Sequence, residues 1–116
     1  MLNIKMSNVL HELATILEQR KSASKETSYV ASLHDKGLGE ILAKVNEEAN
    51  ETIEAARNCD SSLDESIAAV IHETADLWFH TMVMLSHLEL GPNQILMELE
   101  KRLEISGLEE KASRKI

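Results

Sequence analysis

Two short stretches of this 116-residue chain concentrate side chains able to hold a metal ion. Residues 44 to 51 read Lys-Val-Asn-Glu-Glu-Ala-Asn-Glu, and residues 73 to 76 read Glu-Thr-Ala-Asp. Positions three or four apart share a helical face. Lys44, Glu48 and Glu51 therefore form one stripe, with Glu47 at its edge. Glu73 and Asp76 form a second, which His80 extends one turn later. Residue 62 lies midway between 51 and 73, and also midway between 48 and 76. If the two helices pack as an antiparallel hairpin about that point, Glu51 falls level with Glu73, and Glu48 with Asp76.

Four carboxylates so close cannot all stay ionised without a counter-charge, because like charges and desolvation both raise their pKa values. A hard divalent cation with oxygen ligands resolves the conflict. Mg²⁺ suits best, since it takes part of its shell from carboxylates and part from substrate phosphates. One Glu-x-x-Glu pattern alone is ordinarily a solvated helix face. The pairing of two acidic stripes about a common turn favours a metal site instead. Lys44 has two readings, an ion pair with Glu48 or a contact to substrate phosphate. His80 is expected to be a hydrogen-bonded histidine in the core or behind the metal ligands, and not itself a ligand. His11, His34, His72 and His87 lack ligand spacing and read as structural. Trp78, Met82 and Met84 read as core or dimer-interface residues.

Helices must position these groups, and the apolar spacing is helical throughout, with one proline and four glycines in the chain. Met6, Val9, Leu10, Leu13, Ile16 and Leu17 mark a first amphipathic helix. Arg20 to Thr27 reads as a loop. Tyr29, Val30 and Leu33 suggest a short helix that Gly37 ends. A long helix follows from about Leu38 to about Arg57, with Ile41, Leu42, Val45, Ala49, Ile53 and Ala56 facing inward. Asn58 to Ser61 is a turn, and Ser62 with Glu65 forms a capping box that should start the next helix. Its buried stripe is expected to be Ile67, Val70, Ile71, Thr74, Leu77, Trp78, Thr81, Leu85 and Leu88. Gly91 should end it, and Pro92 suits the first turn of a last helix faced by Ile95, Leu96, Leu99 and Leu103. A further turn is expected near Leu108. The expected fold is all-α, a bundle of four to five helices forming one domain over residues 1–116.

Composition narrows the partners. A net charge of −8 disfavours a nucleic-acid backbone or an anionic membrane. Aromatics at 3% do not make a stacking platform for single strands. Cys59 is the only cysteine, so no intrachain disulfide forms and a cytoplasmic location is expected. No apolar run approaches the ~20 residues that span a bilayer.

Glu-Glu-x-x-Glu on one helix and Glu-x-x-Asp on the next resembles the all-α nucleoside triphosphate pyrophosphohydrolases. That superfamily includes MazG-like enzymes, dimeric dUTPases and phosphoribosyl-ATP pyrophosphohydrolases. The resemblance is closest to the last. Ser28-Tyr29, Leu33 and Lys36-Gly37 resemble that family's Ser-Tyr segment and Lys-Gly turn. Lys44-Val45-Asn46-Glu47-Glu48-Ala49 resembles its Lys-Val-Gly-Glu-Glu-Ala. Glu73 to His80 resembles its Glu-x-Ala-Asp-Leu-x-Tyr-His, and Ser106 to Lys111 resembles its C-terminal motif. Asn46 stands where the family usually has glycine, and Phe79 where it usually has tyrosine.

The resemblance implies Mg²⁺-dependent hydrolysis of the α–β phosphoanhydride of phosphoribosyl-ATP, a step of histidine biosynthesis, giving phosphoribosyl-AMP and pyrophosphate. It also implies a homodimer. The cyclohydrolase often fused to this enzyme is expected on a separate polypeptide. Glu48, Glu51, Glu73 and Asp76 then hold metal. Glu47 or Glu51 orients the attacking water and accepts its proton. Lys36 and Lys44 contact phosphate, with Lys101 and Arg102 as weaker candidates. Three other functions compete. A house-cleaning nucleotide pyrophosphohydrolase shares the metal site but differs in its base pocket. A non-enzymatic helical interaction module needs no divalent ion. A di-iron carboxylate bundle ranks last, because no histidine here has Glu three positions before it.

Overall fold

The computed structural model describes residues 8–103, and they fold as five helices without strands. They are α1 (Val9–Arg20), α2 (Tyr29–Lys36), α3 (Leu38–Arg57), α4 (Asp64–His87) and α5 (Pro92–Leu103). Met6, the turn expected near Leu108 and the Ser106–Lys111 motif lie outside the described residues.

Local chemistry sets most of the boundaries. Ser28 caps α2 by accepting the Ala31 N–H at 3.2 Å. Gly37 then reverses the chain at φ 98°, a conformation that suits glycine. Its N–H closes α2 on the Leu33 carbonyl while its own carbonyl receives the Ile41 N–H of α3.

Two expected boundaries fail. Ser62 does not cap α4. Its N–H and hydroxyl both donate to the Asp60 carboxylate, at 2.9 and 2.6 Å. An aspartate two residues back is a strong local acceptor, and it captures the serine in a turn. The helix starts at Asp64, after Leu63, without a side-chain cap. At the other end, Gly91 does not end α4. Glu89 takes the left-handed conformation, φ 61°, and the Leu90 N–H reaches back to the Leu85 carbonyl at 2.7 Å. That bond pattern is the one that usually recruits glycine. Gly91 instead donates its N–H to the Gln94 side chain at 2.7 Å, at the start of α5.

α3 and α4 are the most extensively paired helices. The Thr52 hydroxyl touches the Glu73 carbonyl at 3.0 Å, which sets the antiparallel register within a residue of that expected from the carboxylate spacing. The buried core joins Leu17 of α1, Val30 and Leu33 of α2, Ile41 of α3, and Met82, Val83 and Leu85 of α4. Two polar ties reinforce this end. Ser86 donates to the Glu18 carboxylate at 3.0 Å, and His34 Nδ1 lies 2.9 Å from His87 Nδ1.

The expected apolar stripes are only partly covered. Ile71 and Trp78 on α4 are 65% and 60% exposed. Leu42, Ile53, Ile67 and Leu88 are exposed too, as are Ile95, Leu96, Leu99 and Leu103 on α5. An apolar groove of about 480 Å³ runs between Leu77, Trp78, Met84 and Leu85 on one side and Ile95 and Leu99 on the other. Helical periodicity identifies a greasy face correctly, but the described residues do not supply everything needed to bury it.

Candidate metal centre

The α3–α4 register brings Glu48 to Glu73 and Asp76. One carboxylate oxygen from each lies within 4.8 Å of the others. Glu48 is buried, and Glu73 and Asp76 are half-buried. The Glu48 Oε2 and Glu73 Oε2 atoms are shielded from solvent, and among the described residues no hydrogen-bond donor reaches them. Buried carboxylate oxygens without a donor are unfavourable. Two of them on residues of one acidic cluster fit a bound hard cation, which prefers oxygen ligands.

The Glu51 carboxyl adjoins both. Burial raises the Glu48 pKa first, and the neighbouring Glu51 and Asp76 charges raise it further. The Glu73 pKa is raised chiefly by the Glu51 carboxyl beside it, then by burial. Glu51 thus borders the three-carboxylate cluster, on the side of Glu48 and Glu73.

The remaining predicted residues divide into near and peripheral. His80 is buried, with Nδ1 3.9 Å from Glu48 Oε1. Lys44 pairs with Glu47 at 3.5 Å, not with Glu48 four residues on, and that carboxylate raises the lysine pKa. Glu47 is exposed and sits outside the three-carboxylate group. Lys36 is exposed at the end of α2. Lys101 and Arg102 lie in the last turn of α5, Lys101 exposed and Arg102 paired with Glu98 at 3.6 Å.

Four residues at or near the site escape a search for acidic stripes. Thr52 donates to the carbonyls of both Glu48 and Glu73, at 2.8 and 3.0 Å. It stands four residues after Glu48, so its position on the metal-facing side was there to be read. Asn46, which replaces the usual glycine, is exposed on α3. His72 Nε2 lies 3.3 Å from Asp76 Oδ2, again at a spacing of four. Tyr29, at the start of α2, brings its hydroxyl to 2.9 Å from His80 Nε2. Only the Ser28-Tyr29 segment of the family resemblance pointed there.

A helical bundle that assembles a carboxylate cluster across the α3–α4 pair is consistent with the all-α pyrophosphohydrolase class. Within that class, the model of the phosphoribosyl-ATP pyrophosphohydrolase family matches residues 10–103, and the chain belongs to that family. Among the described residues, no helix is long and apolar enough to cross a membrane.

Proposed function

We propose that this chain, as one domain, hydrolyses the α–β phosphoanhydride of phosphoribosyl-ATP with Mg²⁺, in histidine biosynthesis in the cytoplasm. The observation that carries this reading is the convergence of the Glu48, Glu73 and Asp76 carboxylates, two of which carry a buried oxygen without a donor among the described residues. Membership in the phosphoribosyl-ATP pyrophosphohydrolase family supports the substrate.

Glu48, Glu73 and Asp76 hold the ion, and Glu51 stands against them. When bound, Mg²⁺ neutralises phosphate oxygens and the charge on departing pyrophosphate. Glu51 suits the proton-accepting role, because it adjoins the cluster yet keeps an exposed side. Glu47 is engaged with Lys44 and is less suited to it. A water oxygen adds to phosphorus, its proton passes to Glu51, and the anhydride P–O bond breaks to release pyrophosphate. Lys36 and Lys44 balance the charge of the incoming phosphates.

The reading includes a homodimer. The exposed Ile53, Ile67, Ile71 and Trp78 on α3 and α4, with the groove beside α5, offer the apolar surface that a second copy buries. The test is pyrophosphate release from phosphoribosyl-ATP, compared with dUTP and the common nucleoside triphosphates. Phosphoribosyl-ATP should be preferred by at least about two orders of magnitude in kcat/KM, within reach of a site that pairs buried polar groups with its substrate. Equal or better turnover of a nucleoside triphosphate assigns the chain to nucleotide house-cleaning instead.

A further inference from the structure

From the contacts around His80, we infer that Tyr29 is a positioning residue for the metal site, acting through His80 by fixing which ring nitrogen carries the proton. The inference rests on the metal-site reading above. His80 Nδ1 lies 3.0 Å from the Asp76 backbone carbonyl, which can only accept. Nδ1 therefore carries the proton. In the neutral ring this leaves Nε2 bare, and the Tyr29 hydroxyl, 2.9 Å away, donates to it. Burial raises the Tyr29 pKa, which keeps the hydroxyl a donor.

The consequence reaches Glu48. With the proton on Nδ1, the ring turns an N–H edge toward the Glu48 carboxylate, whose Oε1 is 3.9 Å away. In the other tautomer a bare nitrogen lone pair faces both that carboxylate and the Asp76 carbonyl, and repels them. Tyr29 adds to the preference for the first tautomer by donating its proton to the bare Nε2 of a buried ring. The ring of Tyr29 also stands edge-on to His80, with centroids 5.9 Å apart, and Phe79 flanks the imidazole at 5.4 Å. The imidazole is thus held by aromatic contacts that survive loss of the hydroxyl. Tyr29 is half-exposed, and through His80 its hydroxyl links α2 to the carboxylates on α3 and α4.

Tyr29→Phe removes the hydroxyl and keeps the ring. Nitrogen-15 NMR of the His80 ring should find Nδ1–H with bare Nε2 in the wild type, and a substantial Nε2–H population in the variant. Mg²⁺ affinity by calorimetry should fall about fivefold, the equivalent of one neutral hydrogen bond. In a His80→Gln background the same tyrosine change should have no further effect on affinity, since the two residues act as one unit. A wild-type ring protonated at Nε2 overturns the inference. So does an unchanged tautomer in Tyr29→Phe, or an equal loss of affinity with and without His80. If His80→Gln does not fold, the NMR comparison still decides. Absence of Mg²⁺ binding to the wild type contradicts the metal-site reading itself, and is distinguishable from these results.

Discussion

The Thr52 hydroxyl bridges two backbone carbonyls that belong to different helices, those of Glu48 and Glu73, at 2.8 and 3.0 Å. Both residues are carboxylate members of the cluster. One short side chain therefore pins α3 to α4 at the level where the metal site forms. A hydroxyl has a single proton to share, so the bridge is a three-centre contact and not two full bonds.

Thr52→Val keeps the shape and removes that bridge. It should destabilise the fold by about 1 kcal/mol, the net worth of one hydrogen bond, lowering Tm by roughly 4 °C or more in a domain of this size. The site's precision should suffer as well, with a severalfold weaker Mg²⁺ response. Thermal melts and Mg²⁺ titration of activity check both. An unchanged Tm places the helix register under the control of apolar packing alone.

Acid should erase the benefit of the metal. The folded-state pKa values of Glu48 and Glu73 are raised above the ordinary carboxylate value of 4.5. The folded protein therefore binds more protons than the unfolded chain between that value and the raised ones. Without metal, this contribution favours folding at low pH and is lost as pH rises through the folded pKa values. Protons and Mg²⁺ compete for the same oxygens. The gain in Tm from Mg²⁺ over EDTA should be largest above neutral pH and shrink steadily toward pH 4.5. A gain independent of pH over that range rules out these carboxylates as the ligands.

Trp78, 60% exposed on α4, should lie in the contact between two copies. Trp78→Glu places a charge there, and burying an unpaired charge is prohibitive. Sedimentation should find the wild type dimeric at micromolar concentration and the variant largely monomeric. A monomeric wild type removes the dimer from the account.

Sequence alone made the site legible to the extent that its parts repeat at helical spacing. Glu48 with Glu51, and Glu73 with Asp76, stand three residues apart on either side of a turn, so the meeting of Glu48, Glu73 and Asp76, with Glu51 beside them, follows from helix geometry and antiparallel packing. His72 stands four residues before Asp76 on the same face, but a neutral imidazole among acidic stripes reads as structural. The Tyr29–His80 and His34–His87 contacts join residues more than fifty positions apart, and no periodicity encodes them. The five helices were legible from apolar periodicity and from Gly37 and Pro92. The ends of α4 were not, because Asp60 competes for Ser62 and Glu89 takes a conformation expected of glycine. Nor does periodicity distinguish a face buried within one chain, as at Val83, from one left exposed, as at Ile71.

If the α3–α4 carboxylates hold the ion that hydrolysis requires, Glu48→Gln should spare the fold and cripple turnover. The substitution preserves size, removes one charge and relieves the like-charge crowding from Glu51 and Asp76. Measured side by side, the variant should melt in EDTA at or above the wild-type temperature. It should release pyrophosphate from phosphoribosyl-ATP at least about a hundredfold more slowly at millimolar Mg²⁺, at the upper end of losses seen around metal sites. Partial recovery at much higher Mg²⁺ should follow. Wild-type turnover by Glu48→Gln at ordinary Mg²⁺ concentration contradicts the account.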